Sequence, residues 1–332
     1  MPTFGCPMRT AVSKDGGAGM AGQLFLGIEG GATRTTGVVT DGELRVLSRH
    51  VTGPTNLYAV GEKRALAAIH DILTHTLFPA GARVDTLAAM AFCIAGVRTE
   101  ADQKVWRRLI RRKTNLKAPA IITHDAAAGL AAGSPEETGI LVVCGTGSLV
   151  YARRTDGAER FVGGRGPILG DEGSGFDIGH RALRAALRAS DGRGRPTLLE
   201  RLIPERLGLG GLDDLVPWVS PFAKDRVASV AKIVFEAAES GDEVAVEILE
   251  GAAEELARAV GVAARELWPP TGEAGRPERV VFAGGVLRHQ GHFRTVVTAR
   301  IVERVAGVRC ALPEMEGAIG AARIARRAAS GQ

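Results

Sequence analysis

The stretch Leu24–Asp41, LFLGIEGGATRTTGVVTD, decides the architecture. An apolar run (Leu24, Phe25, Leu26, Ile28) breaks at Gly30-Gly31. A hydroxyl-rich turn with Thr33, Thr35 and Thr36 follows, and a β-branched run (Val38, Val39) then stops at Asp41-Gly42. The pattern predicts strand, glycine turn, strand. Glycines admit positive φ and let an outside group approach the backbone; successive turn amides can then converge on an anion. Arg34 adds a positive charge, and Glu29 stands at the lip, where a carboxylate can hold Mg²⁺ through water. A tight hairpin with no ligand fits the stretch equally well. Neither common phosphate motif is present: GxxxxGK[ST] is missing, and Val38-Val39 continue as strand where GxGxxG would open a helix.

The pattern recurs further along. Gly139–Val143 reads as strand, Gly145-Thr146-Gly147-Ser148 as a glycine-hydroxyl turn, and Leu149–Tyr151 as the return strand. That strand leads to Thr155-Asp156-Gly157, as the first leads to Thr40-Asp41-Gly42. Asp41 lies eight residues beyond Thr33 (41 − 33), and Asp156 eight beyond Ser148 (156 − 148). The shared offset points to an internal duplication, with chance similarity of two hairpins as the alternative.

Between the hairpins, strands alternate with helices. Leu44–His50 predicts a third strand, Pro54-Thr55-Asn56 a turn, and Gly61–Leu77 an amphipathic helix carrying Leu66, Ile69, Leu73 and Leu77 on one face. Thr86–Ile94 and Ala120–Thr123 predict buried strands, Glu100–Lys113 and Ala126–Ala132 helices, which together make an α/β lobe. After the second hairpin, Gly163–Gly175 is a glycine-rich loop of the kind that carries function. Ser174 and Asp177 form a capping pair ahead of the helix Ile178–Ala189. Thr197–Val219 is helical in pieces, and Lys224–Glu239 and Asp242–Trp268 are long helices. Arg279–Ala283 is a strand ending at Gly284-Gly285, and Val308–Ala311 is the last strand. The small-residue helix Gly317–Ala329 is expected to return across the first lobe. The domains expected are a disordered leader (1–22), an N-terminal lobe (23–136, with helix 316–330 on it) and a C-terminal lobe (137–315).

Composition bounds the function. The 332 residues are 45% hydrophobic and 24% charged, which is globular, and no apolar run approaches the ~18 residues of a membrane span. The net charge of +5 is modest, and its densest patch is Arg107, Arg108, Arg111, Arg112 and Lys113. Trp106, Leu109 and Ile110 interleave there at helical spacing, which reads as a solvated helix face and not a nucleic-acid site. Cys6, Cys93, Cys144 and Cys310 lack CxxC spacing, which argues against zinc or disulfides and fits a reducing cytoplasm. The leader has no hydrophobic core and is not a secretory signal; Met20 is an alternative start.

Three strands run into glycine turns, at Gly30-Gly31, Gly145-Thr146-Gly147 and Gly284-Gly285. Together they suggest one polyanionic ligand gripped from several sides, a nucleotide in the cleft between two lobes. Phosphoryl transfer then needs a base. Asp125, at the C-terminal end of a strand, is the candidate; a helix N-cap is its competing role. Asp171 and Glu172 lie in the glycine loop with nothing obvious to pair with, and turn residues near a helix start are the plain alternative. Asn56 reads as a turn asparagine, and His124 as structural.

Gly27–Thr35 resembles the first phosphate motif of the N-acetylglucosamine kinase family, within the broad BadF/BadG/BcrA/BcrD-type ATPase group. The similarity continues through Thr55-Asn56, Ile122–Ala127, Gly145–Ser148, Gly163–Gly166, Leu169–Ser174 and Gly284-Gly285. The resemblance implies a duplicated, two-lobed actin-like, ribonuclease H-type α/β fold that closes on ATP and sugar. It implies ATP contacts at Gly30, Gly31, Thr33, Arg34, Thr146 and Gly147, with Gly284 and Gly285 at the adenosine end. Asp125 would take the proton of a sugar 6-hydroxyl. Asn56, Ser148, Leu149, Gly164, Arg165, Gly166 and Asp171 would line the sugar site. ATP and Mg²⁺ are the implied cofactors, with Glu29 on the metal through water. The implied partner is a small-molecule amino sugar, with no nucleic acid or membrane, and a homodimer is compatible with the resemblance.

Leu149 stands where the family often has Asn, and Arg165 where it often has Trp. Arg165 looks like the glucosamine kinases and GDEGS like the acetylglucosamine kinases, which leaves the acetyl group open. Two alternatives remain. An iron–sulfur activator ATPase is disfavoured because Cys93 and Cys144 lie within predicted strands. A non-catalytic hexosamine sensor is disfavoured because no helix-turn-helix segment or zinc-cysteine loop is visible.

Overall fold

In the computed structural model, which describes residues 22–31, 33–113, 118–269 and 275–331, the opening stretch forms the predicted hairpin. Strand β1 (Phe25–Gly30) pairs antiparallel with β2 (Thr35–Thr40), Leu26 opposite Val39 and Glu29 opposite Thr36. Strand β3 (Val46–Thr52) extends the meander. On the other side of β1, β4 (Ala89–Ile94) and β5 (Ala120–Thr123) add in parallel, giving the order β3-β2-β1-β4-β5. The second sheet repeats this strand for strand. Strands β6 (Gly139–Cys144), β7 (Ser148–Arg153) and β8 (Glu159–Val162) form the antiparallel meander. Strands β9 (Arg279–Ala283) and β10 (Arg309–Ala311) add in parallel beside β6. The order β8-β7-β6-β9-β10 is the first sheet's order again, so the duplication read from two hairpins extends to whole sheets. The reading of 1–22 as a leader falls, Gly22 apart, outside the described residues.

The helices of the first half are α1 (Leu57–Leu77), α2 (Glu100–Lys113) and α3 (Asp125–Gly133). The second half contributes α4 (Gly175–Ser190), α5 (Leu199–Leu207), α6 (Leu215–Trp218), α7 (Lys224–Ser229) and α8 (Ala231–Glu239). It continues through α9 (Glu243–Leu267), α10 (Gly285–His289), α11 (Gly291–Arg304) and α12 (Gly317–Ala329). Strand β3 starts two residues later than expected and β4 three residues later, and two helices also need correction. Helix α1 starts at Leu57, and Gly61, taken as its start, instead breaks its first turn (φ 74°, ψ 167°). Residues 224–239 are two helices, because at Val230 the N–H bonds three residues back, to the Val227 carbonyl. On α2, Trp106, Leu109 and Ile110 are buried and Arg107, Arg108, Arg111 and Arg112 exposed, as the spacing predicts.

Small residues fix how the layers meet. One face of the first sheet carries the large side chains of α1 and α2, among them Ile69, Ile72, Trp106 and Ile110. The other is nearly all alanine: Ala89, Ala91 and Cys93 lie against Ala128 and Ala131 of α3 and Ala321 and Ala325 of α12. Backbones therefore nearly touch. A Cβ on Gly27 would lie 2.2 Å from the Ala318 carbonyl oxygen, and one on Gly320 would lie 2.1 Å from that of Ala128. The far side of α3 packs on the second sheet through Ala126 and Leu130 against Leu141, Tyr151 and Val281. A Cβ on Gly133 would come 2.5 Å from Val281 Cγ1. Helix α3 is thus held between both sheets, while α4, α8, α9 and α11 build the large core on the second sheet's other face.

Gly320→Ala tests this packing. Alanine raises helix propensity by about 1 kcal/mol, but here the methyl meets backbone that cannot move aside. A net destabilisation of about 1–3 kcal/mol is expected, seen as a lower urea midpoint with unchanged slope.

Candidate active site

Both phosphate-like turns divide their polar groups in the same way. In the first, the Gly30 carbonyl accepts from the Ala95 N–H (2.6 Å) and the Gly31 carbonyl from the Thr55 N–H (3.3 Å). In the second, the Gly145 carbonyl accepts from the Gly175 N–H (2.8 Å) and the Thr146 carbonyl from the Phe176 N–H (3.2 Å), at the start of α4. Carbonyls are tied to neighbouring loops. Among the described residues the amides of Thr33, Arg34, Thr146 and Gly147 make no backbone hydrogen bond and are free for an anion. Thr33, Arg34 and Thr146 are exposed. Gly30 must be glycine because its Cβ would sit 2.1 Å from Thr55 Oγ1. The third turn meets the second: Gly284 (φ 90°) would bring a Cβ 2.3 Å from the Cys144 carbonyl oxygen, and Gly285 N lies 3.6 Å from where a Gly145 Cβ would be. Beside them opens a cavity of ≈ 560 Å³ whose walls include Thr146, Lys232, Phe235, Gly285 and Gln290.

Asp125 sits where β5 ends and α3 begins. The N-cap role weighed for it belongs to His124, whose Nδ1 accepts the Ala127 N–H at 3.1 Å. Asp125 is the first helical residue, half-buried, accepting the Ala126 N–H at 3.0 Å. Burial raises its pKa, while the charges of His124 and Arg98 pull it down. His124 is buried edge-on against Tyr151 and Phe161, with centroids 4.5 and 4.7 Å away, which fits its structural reading.

Glu29 is the last residue but one of β1 and points toward the start of α12: a Cβ on Gly317 would lie 2.3 Å from its Oε1. Its pKa is raised to about 7, first by burial and then by the charge of Asp125, against the opposing pull of Arg34 and Arg288. Arg288 follows the Gly284-Gly285 turn, so charges from both halves act on one carboxylate. Glu29 and Asp125 repel each other and neither has an ion-pair partner among the described residues. An uncompensated pair of this kind suits a hydrated Mg²⁺ beside phosphate.

The remaining predicted residues fall in two groups. Asn56 caps α1, its Oδ1 accepting the Tyr58 N–H at 3.0 Å, which leaves its Nδ2 to donate. Gly163, Gly164 and Gly166 have φ of 71°, 63° and 88°, and between them Arg165 is exposed with no partner among the described residues. Leu149 lies under Gly164. Ser148 is buried, its hydroxyl donating to the Glu172 carbonyl at 2.6 Å. Asp171, read as having nothing to pair with, is corrected: Lys224 Nζ lies 2.6 Å from its Oδ2, in a contact that buries the carboxylate beside Gly147.

Sequence reading missed Lys224 and also Arg98. Arg98 Nη2 donates to the Gly164 carbonyl at 2.7 Å and its guanidinium lies 5.2 Å from the Phe161 ring centroid. It crosses from the turn after β4 to the glycine loop. Its place just beyond the C-terminal end of a parallel strand, like that of Asp125, was the available signal.

The sequence profile of the BadF/BadG/BcrA/BcrD ATPase family matches residues 26–325. An N-acetylmuramic acid/N-acetylglucosamine kinase from Clostridium acetobutylicum is 33% identical over 236 residues, which is 70% of this chain and 77% of that protein. The N-acetyl-D-glucosamine kinase of Dictyostelium discoideum is 28% identical over 324 residues, 92% of this chain and 98% of that one. A solved structure from Chromobacterium violaceum, of a candidate N-acetylglucosamine kinase, superposes with a TM-score of 0.71 at 24% identity, covering 91% of this chain and 98% of the other. The fold is the two-lobed actin-like ATPase fold.

Glu29→Gln tests the charge state of the site. A carboxyl titrating at about 7 when folded and 4.5 when unfolded gives stability that is fully present below pH 4.5 and lost as pH rises through 7. Glutamine never ionises. It is expected to stabilise the chain by on the order of 1–3 kcal/mol above about pH 8 and not below about pH 4.5, measured by urea unfolding across that range.

Proposed function

The chain belongs to the BadF/BadG/BcrA/BcrD ATPase family, and on that premise we propose that it is an ATP- and Mg²⁺-dependent kinase that phosphorylates the 6-hydroxyl of N-acetylglucosamine or glucosamine. The observation that carries the reading is Asp125: a half-buried carboxylate of raised pKa, at the edge where both sheets present amide-lined turns. The lobes in this reading are 23–136 with 316–330, and 137–315. The amides of Thr33, Arg34, Thr146 and Gly147 hold the phosphates, and Gly284 and Gly285 border the adenosine in the ≈ 560 Å³ cavity. Glu29 would hold Mg²⁺ through water, and the ion would supply neutralising charge to the transferring phosphoryl group. Asn56, Arg165 and Asp171 line the sugar. Asp125 accepts the proton of the attacking hydroxyl, and the charges of His124 and Arg98 lower its pKa against the rise that burial gives it.

The activator alternative needs thiols that reach a cluster between subunits. Cys93 and Cys144 are instead fully buried, with pKa values pushed up by burial. No helix among the described residues is long and apolar enough to cross a membrane, and we place the enzyme in the cytoplasm. One observation favours a second substrate. Arg165 is exposed and unpaired at the sugar loop, where an acid-bearing hexosamine such as N-acetylmuramic acid would give it a carboxylate. A panel of the three sugars with ADP release as the readout separates these substrates from one another and from a sensor that releases none.

Asp125→Asn is expected to keep ATP binding and to lose ~10²–10⁴-fold in turnover, the usual contribution of a general base; turnover equal to wild type would refute the assignment. Arg98→Ala removes a charge that lowers the pKa of Asp125. The acid limb of its kcat/KM profile should therefore move to higher pH, and an unmoved limb would remove Arg98 from the proposed role.

A further inference from the structure

We propose that His50, Asp71 and His75 form a binding site for one divalent metal ion of the zinc class, between β3 and α1. The site does not rest on the kinase reading.

The fold brings the three residues together for reasons of packing. His50 lies on β3 opposite Gly37 of β2. A Cβ on Gly37 would come 2.6 Å from Ile72 Cγ2 and 3.1 Å from Thr76 Oγ1, so α1 seats directly on the strand. That seating places Asp71 and His75, four apart on one face of α1, beside His50. His50 Nε2 lies 2.9 Å from Asp71 Oδ2, and His75 Nδ1 lies 3.0 Å from Oδ1. The imidazole centroids are 4.8 Å apart. All three donor atoms lie within 4.8 Å of one another. Tetrahedral ligands at ~2.0–2.1 Å from zinc stand about 3.3–3.5 Å apart, so small side-chain rotations open room for the ion.

The chemistry suits a borderline metal. Two imidazoles and one carboxylate favour zinc-like ions, whereas magnesium prefers an all-oxygen shell. Asp71 is fixed by a second hydrogen bond, from the Thr52 side chain. Such outer contacts orient metal ligands. Without metal, His75 Nδ1 bonds the Asp71 backbone carbonyl at 3.0 Å. Coordination takes the Nδ1 lone pair and leaves the ring proton on Nε2, and His50 correspondingly carries its proton on Nδ1. A cavity of ≈ 650 Å³, lined by Thr52, Arg64, His70, Asp71 and His75, leaves room for water to complete the shell. The ion would tie β3 to α1 next to Gly53–Asn56, the loop that brings Asn56 to the cleft.

The test is titration of the full chain with zinc alone, by calorimetry and by competition with a chromophoric chelator, alongside thermal unfolding. Wild type should bind one ion and unfold at higher temperature when zinc is present. His50→Gln and His75→Gln should each weaken binding at least tenfold, and the double variant should abolish both effects. Thr52→Val, leaving all three ligands in place, should weaken binding by about 10–100-fold. Magnesium in excess should not displace the ion. Absence of binding in wild type, or zinc affinity retained in the double variant, would overturn the proposal. Zinc-free unfolding of each variant at the wild-type temperature shows that any loss is of ligands and not of fold.

Discussion

Helix α3 has to fit between two sheets, and that constraint shapes the rest of the molecule. Gly320 of α12 lets backbone approach backbone at Ala128, and Gly133 leaves room for Val281 of the second sheet. A helix so enclosed cannot shift along its axis without collisions on both sides, because protein interiors are close-packed and yield little. The residue at its first turn, Asp125, therefore has a position set by both halves of the chain. The alanines on that face bury little apolar area each. Their contribution is proximity, and the larger hydrophobic stabilisation comes from Trp106 and Ile110 in one half and Phe282 and Leu256 in the other.

A second regularity follows from the duplication. Each glycine turn gives two carbonyls to a neighbouring loop or helix start and spends one glycine amide inside the turn, Gly31 N–H on the Arg34 carbonyl and Gly145 N–H on that of Gly147, while Thr33, Arg34, Thr146 and Gly147 keep amides without a backbone partner among the described residues. An array of this kind attracts anions without any lysine in a phosphate loop. The acidic side of the cleft is balanced differently. Burial raises the pKa of both carboxyls, the charge of Asp125 raises that of Glu29 further, and arginines at 34, 98 and 288 act against these rises from a distance. The charge is poised and not cancelled, as is usual where perturbed carboxylates do chemistry.

Much of this was legible in the amino acids. Apolar and β-branched runs bounded by glycine gave β1, β2, β6 and β7, and the bounds of α2, β5 and β9 match the sequence reading residue for residue. Asp125 was visible because a strand visibly ends there. What escaped notice depends on contacts between distant segments. Lys224 meets Asp171, and Arg98 meets the carbonyl of Gly164, across separations that leave no periodic trace. The walls of the ≈ 560 Å³ cavity beside Thr146 come from α7, α8 and α10, whose inward residues look like ordinary amphipathic helix. The break at Val230 was hidden for another reason: its dihedrals (φ −63°, ψ −24°) are nearly helical, so nothing in residue type marks it.

Cys144 lies under the glycine loop, its Sγ 3.2 Å from the Gly173 carbonyl oxygen, with no surface exposed. A thiol so placed can meet an alkylating reagent only when the loop lifts away. Its labelling rate is thus a clock for local opening of that segment, already present in the native chain, and a bound nucleotide or sugar that pins the loop would slow it.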